Sequence, residues 1–217
     1  MSTGIIVPAV PNLPLPQDQF SKLYLAQLTN VLRLYFNQLN NSVLEINNLL
    51  GDLETGGGGS VINLPYGAFS SNAIQTTTAN TATLMTLNTT DFSNQVSISS
   101  SKITASIAGI YNLQFSAQLQ STDNAPQDVF IWLRQNGTDI AGSTGVVGLP
   151  ARKTPADPFH DIKGWNYFVS LNAGDYIEIY WSTTNANVSI HFYAASGSPT
   201  KPSTQSVVAT LTFVSSL

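Results

Sequence analysis

Two histidines and a scatter of carboxylates are the residues of this chain that could do chemistry. His160 stands in the string DPFHD, between Asp157 and Asp161, and His191 precedes Phe192 in a stretch with strand character. A histidine between aspartates is raw material for a metal site, but ligands must converge on it from elsewhere, and Pro- and Asp-rich strings also arise as turns. Asp123, Asp128, Asp139, Asp157 and Asp161 fall at expected loop ends. Oxygen-rich loops can hold calcium, yet no spacing here matches a calcium-binding loop. Glycoside hydrolysis needs two carboxylates facing across a cleft. Asp175 falls in a turn, and Glu178, the only Glu of the C-terminal part, alternates outward beside Tyr176 and Tyr180. No G-x-S-x-G string marks a nucleophilic serine. The chain has no Cys, which removes disulfides, Cys-ligated zinc and thiol chemistry together. Gly56 to Gly59 lack the following Lys-Ser/Thr and the preceding strand of a phosphate loop. These residues predict a protein that is not an enzyme and holds no metal and no cofactor. Aromatic side chains could instead stack on a sugar. Trp165 and Tyr167 alternate with Val169 and Leu171 as one strand face, which leaves Phe159, with His160, as the candidate contact pair on a loop from Gly142 to Gly164.

Composition narrows the function classes further. Only 9% of the 217 residues are charged, against roughly 25% in ordinary soluble domains. Polarity comes from Ser, Thr, Asn and Gln, so ionic strength should affect the surface little. A net charge of −4 offers no basic patch to offset phosphate repulsion and argues against nucleic-acid binding. The N-terminus MSTGIIVPAVPNLPLP lacks the basic start and long apolar run of a secretory signal. No apolar stretch approaches the roughly 20 residues of a membrane helix. The expectation is a product made in the cytoplasm that inserts in no membrane.

The scaffold is organised around Gly109 to Gln120, GIYNLQFSAQLQ. Tyr111, Leu113, Phe115, Ala117 and Leu119 share one face of an extended strand, and amides and hydroxyls occupy the other. Further strands are expected at 67–75, 82–88, 95–99, 101–107, 129–135, 139–141, 165–171, 176–182, 188–194 and 207–214. Asn136-Gly137 signals a tight hairpin turn, and Ala173-Gly174-Asp175 a second turn. Val129, Phe130, Ile131, Trp132 and Leu133 are apolar on both faces, so one face belongs in the core and the other needs a cover. Many short strands without a helix indicate a two-sheet sandwich from residue 61 to 217.

The N-terminal quarter is different. Pro8, Pro11, Pro14 and Pro16, interleaved with apolar residues, predict an extended anchoring arm over residues 1–16. Gln17 to Leu53 reads as one helix, with Asp18 as cap or first-turn acid. Leu25, Leu32, Leu39, Ile46 and Leu53 recur every seventh residue, and Leu28, Tyr35 and Leu49 fill the companion positions, with one break at Ser42. Bulky residues off that seam suit three strands, or packing against another protein, better than two. A single amphipathic helix folded onto the C-terminal domain is the alternative. GGGGS at residues 56–60 reads as a flexible linker.

The order GAFSS, then Gly109-x-Tyr111, then FIWLRQNGTDI, then FVSLNAGDYIEIYW, then a closing apolar strand resembles TNF-like jelly rolls. The version on bacteriophage virion and fibre proteins is the most similar. Ile131–Gly137 and Leu171–Trp181 carry most of the likeness, and Leu32–Asn41 resembles the N-terminal regions of phage fibre proteins. The resemblance implies a mainly β, ten-stranded jelly-roll head, a homotrimeric coiled coil below it and a place on a virion. The long loop and the missing cysteines depart from the pattern. It points to a short tail fibre whose arm docks onto another virion protein. Its head would meet a glycan or protein of the host surface, with Phe159 and His160 as candidate contacts. A capsid decoration or head fibre without receptor role, and a carbohydrate-binding tip, are the alternatives.

Overall fold

The structure is a computed structural model that describes residues 11–15, 21–54 and 64–217, with helix side chains as far as Asn47. The chain divides into two units, residues 1–63 and 64–217. Most of the arm and the glycine linker, and with them Asp18, lie outside the described residues.

In the first unit, α1 runs Lys22–Glu54. It begins later than the expected Gln17. Ser21 acts as its cap, with the Tyr24 N–H donating to Ser21 Oγ at 3.4 Å and the Leu25 N–H to Ser21 O at 3.2 Å. A serine hydroxyl satisfies a first-turn donor that has no helical partner. Ser42, where the seam breaks, turns its hydroxyl onto the Gln38 carbonyl at 3.1 Å. Residues 11–15 form no helix or strand, and Pro11 and Asn12 line an open cleft with Val31, Leu34, Tyr35 and Gln38 of α1.

The second unit is mainly β. Its described strands in chain order are β1 (Tyr66–Ser71), β2 (Gln75–Thr76), β3 (Thr83–Leu84), β4 (Thr89–Asn94), β5 (Val96–Ser99), β6 (Lys102–Ala105), β7 (Gly109–Ser121) and β8 (Gln127–Gln135). After them come β9 (Thr138–Asp139), β10 (Gly145–Leu149), β11 (Phe159–Leu171), β12 (Tyr176–Thr183), β13 (Val188–Ile190), β14 (Ser196–Gly197), β15 (Thr200–Lys201) and β16 (Val207–Ser215). Ten of these have four or more residues. They make two seven-stranded sheets and a small β14–β15 hairpin, and the strand pairs are antiparallel. The first sheet orders β2, β13, β7, β16, β1 and β4, with β11 on the other side of β7. The second orders β10, β8, β12, β6 and β5, with β3 on β12 and β9 on β8.

One apolar cluster joins the sheets. Tyr111, Leu113, Phe115, Ala117 and Leu119 of β7, with Phe69, Val169 and Leu211, meet Val129, Ile131, Leu133, Ile177, Ile179 and Trp181 of the second sheet. The β7 alternation therefore orients the strand as its sequence requires. Tyr111 is fully buried and still finds a partner, donating its hydroxyl to the Ile107 carbonyl at 2.7 Å. On β8, Val129, Ile131 and Leu133 enter the core, while Phe130 and Trp132 point outward and are half-buried.

The turns follow from local chemistry. Asn136 and Gly137 take φ of 51° and 81°, the paired positive values of the tight hairpin turn expected there. Gly174 lies at φ 89° in the turn from β11 to β12. Asp175 ties the two turns together, accepting from the Asn172 N–H at 2.8 Å and from Asn136 Nδ2 at 2.8 Å.

Three expectations need correction. The stretch from Gly142 to Gly164 is no single loop: β10 and the first residues of β11 lie within it. Thr89–Asn94 is a strand that no apolar pattern announced, an exposed edge held by pairing with β1. The segments expected at 67–75, 82–88 and 188–194 are shorter, because β1 stops at Ser71, β3 covers only Thr83–Leu84 and β13 stops at Ile190.

Candidate functional site

Strand alternation separates Phe159 from His160. Both begin β11, whose residues alternate. Phe159 turns inward and packs half-buried against the core, so it is not the exposed contact that the loop reading expected. Trp165 and Tyr167 share its inward face, as their alternation with Val169 required, and Trp165 meets the Phe115 ring edge-on at 4.7 Å between centroids. Asp161 and Lys163, on the same side, pair at 2.9 Å. Of the pair, His160 is the one that points outward and is exposed.

His160 has company that the sequence did not announce. Its Nδ1 lies 2.6 Å from the Tyr193 hydroxyl, and the His191 ring lies 4.7 Å from that of Tyr193. The convergence comes from strand register. β11 and β13 flank the same end of β7, with His160 and Ser189 both opposite Gln120. The His191 N–H then donates to the Gln118 carbonyl at 2.7 Å, and Ser189 Oγ sits 3.3 Å from His191 Nδ1. Lys201 Nζ lies 5.4 Å from the Tyr193 ring centre, and no group of three or more His, Asp or Glu side chains positioned to hold a metal occurs among the described residues.

Burial first, and the neighbouring His160 charge second, hold the His191 imidazole below the ordinary histidine range. The neutral ring is favoured in the folded state. Its contribution to stability is therefore complete above the ordinary value of 6.5 and is lost as pH falls through that value toward the lowered one. Thermal melting of the wild type should drop as pH falls from about 7 to about 5. His191→Gln should flatten that slope. An unchanged slope in the variant would remove His191 as its source.

Two surfaces are candidates for assembly. The first is α1. Among its seam residues Leu25, Leu39 and Ile46 are each more than a third exposed, and Leu28, Leu32 and Tyr35 are only partly covered. Leu34, Phe36, Val43 and Leu44 are exposed as well. Leu49 and Leu53 belong to the helix, but their side chains lie outside the described set.

The second is the outward face of the first sheet. Cross-strand rows run Phe168–Asn112–Thr212, Asn166–Gln114–Thr210 and Gly164–Ser116–Val208 over β11, β7 and β16. No Lys, Arg, Asp or Glu occupies an outward position on these three strands. Ile162 is 63% and Phe168 58% exposed, and Phe92 and Val214 are more than half exposed. Gly164 is fixed by packing: a Cβ there would clash with the Phe115 carbonyl oxygen. Asn112 Oδ1 is shut from water on this face without a donor.

The carboxylates weighed for hydrolysis are accounted for by position. Asp175 is engaged in its turn, and its hydrogen bonds, from Asn172 first, hold its carboxyl below the ordinary range. Glu178 alternates outward as expected and is nonetheless covered, at 5% exposure, opposite Arg134. No described helix is long and apolar enough to cross a membrane. A scan against protein-family models finds no match, and a search of curated proteins finds none either.

Proposed function

We propose that the protein is a structural component of a bacteriophage particle, a short homotrimeric fibre. Its arm anchors to the particle, α1 forms the stalk and the β domain is the head that meets the host surface. The observation that carries this reading is the uncovered heptad seam of α1. A lone helix with Leu25, Leu39 and Ile46 in water gains from burying them, at about 1.5–3 kcal/mol for each fully buried large side chain. Two further copies supply that cover symmetrically.

The ten longer strands in two sheets support the finer assignment of a TNF-like jelly roll, to which the motifs from Ile131 and from Leu171 are similar. For the head, sequence reasoning placed the subunit contact on the outward side of Val129–Leu133. The exposures favour the uncharged face around Phe168 and Ile162, because more apolar area is wet there and no charge would be stripped of water.

The test is immunogold labelling of virions with antibody raised to residues 64–217. Label at projecting fibres is the expected result. Label spread over the capsid shell would favour a decoration protein, and particles without label would overturn the virion assignment.

A further inference from the structure

The outward face of the second sheet differs in kind from that of the first. It is charged and aromatic together. Trp132 of β8 stands directly opposite Tyr180 of β12, with ring centroids 5.9 Å apart and planes tilted by 34°. The Trp132 indole N–H donates to Asp139 Oδ1 at 2.7 Å, and Arg134 Nε donates to the same oxygen at 2.6 Å. The Arg134 guanidinium carbon lies 3.9 Å from the Tyr180 ring centre. One carboxylate therefore fixes one ring directly and the other through the arginine. Side chains held in this way have surrendered their rotamer freedom before any ligand arrives.

We propose that Trp132, Tyr180, Arg134 and Asp139 form a platform for a neutral pyranose ring of a polysaccharide. A pyranose has an apolar C–H face and a rim of hydroxyls. The half-buried Trp132 ring offers the first a surface to stack on, and Tyr180, with Arg134 over its face, forms the side wall. Asp139, 59% exposed, spends only Oδ1 on its two protein partners, which leaves Oδ2 to accept from a sugar hydroxyl. The Arg134 bond first, and the Trp132 bond second, hold its carboxyl below the ordinary range, so it stays an acceptor at mildly acid pH.

Charge selects the class of sugar. Arg134 and Asp139 pair with each other and Glu178 lies opposite Arg134, so the four-residue platform itself carries no net positive charge for an acidic saccharide, and the nearest lysine of this sheet, Lys102, is engaged over the Tyr176 ring. A second protein is the poorer occupant. A flat protein contact would strip the Arg134–Asp139 ion pair of water. This inference supplies a ligand class for the host-facing head proposed above and rests on that reading only for its biological setting.

The experiment uses the full chain labelled with ¹⁵N. Its three Trp residues give three indole N–H signals, with that of Trp132 assigned by Trp132→Phe. Methyl glycosides of glucose, galactose, mannose and N-acetylglucosamine are the neutral probes, and glucuronate is the acidic one. A saturable shift of the Trp132 signal with at least one neutral probe is expected, with Trp165 and Trp181 unmoved. Asp139→Asn should weaken that binding about tenfold while leaving the melting temperature near wild type. No Trp132 shift with any neutral probe, tighter binding of glucuronate, or equal affinity in Asp139→Asn would each overturn the proposal. The readout is indifferent to virion placement. Sugar binding by a protein absent from particles would refute the fibre reading alone, and labelled particles without sugar binding would refute the platform alone.

Discussion

Leu133→Asp abolishes the folded head. Leu133 is fully buried between the sheets, opposite Ile179 on β12, and its backbone N–H donates to the buried Ser143 hydroxyl at 3.0 Å. The substitution forfeits about 1.5–3 kcal/mol of apolar burial. It also buries a carboxylate with no partner, which costs several kcal/mol more unless the group takes up a proton. Against a domain stability of about 5–15 kcal/mol, that is most or all of the margin. Loss of the cooperative thermal transition, with insoluble product, is the expected outcome. A native-like melt would contradict the placement of β8. Trp132→Asp should be far milder, because Trp132 is half-exposed on the outward side of the same strand.

The second large effect lies in the stalk. Leu32→Asp combined with Leu39→Asp places two charges in adjacent layers of the seam. An isolated helix of 33 residues with no charged residue matched to either end has little to hold it in water. Seam burial must then supply its stability. The double variant should lose most of its far-ultraviolet helical signal at room temperature while the head keeps its own melting transition. Retention of the helical signal would mean that the seam is not what holds α1.

How much of this was legible depends on whether an element's stability is written in its own residues. The alternating stretch Gly109–Gln120 produced β7 to within one residue, and Asn136-Gly137 produced its turn with both φ values positive. These segments carry their own instructions. β4, with the sequence TTDFSN, and β10, with GVVGL, carry none, being short strands held by pairing with β1 and β8. The same limit hid the corner of His160, His191 and Tyr193. Those residues are 31 or more positions apart in two groups, and only their shared neighbour β7 brings them together. Phe159 was misplaced because DPFHD has loop composition, while its alternation becomes visible only once β11 is seen to run unbroken to Leu171. Trp132 was legible as apolar on an outward face. Its tie to Asp139 was not, since a two-residue strand across a hairpin makes it.

The most direct test of the account is the solution mass of the full chain by sedimentation equilibrium, measured in low salt and again in about 1 M salt. The account predicts three chains of 23.2 kDa each in both conditions, because the seam is apolar, the face around Phe168 is uncharged, and both have few charges to screen. A single species of one chain, or a dimer, at micromolar concentration would contradict it.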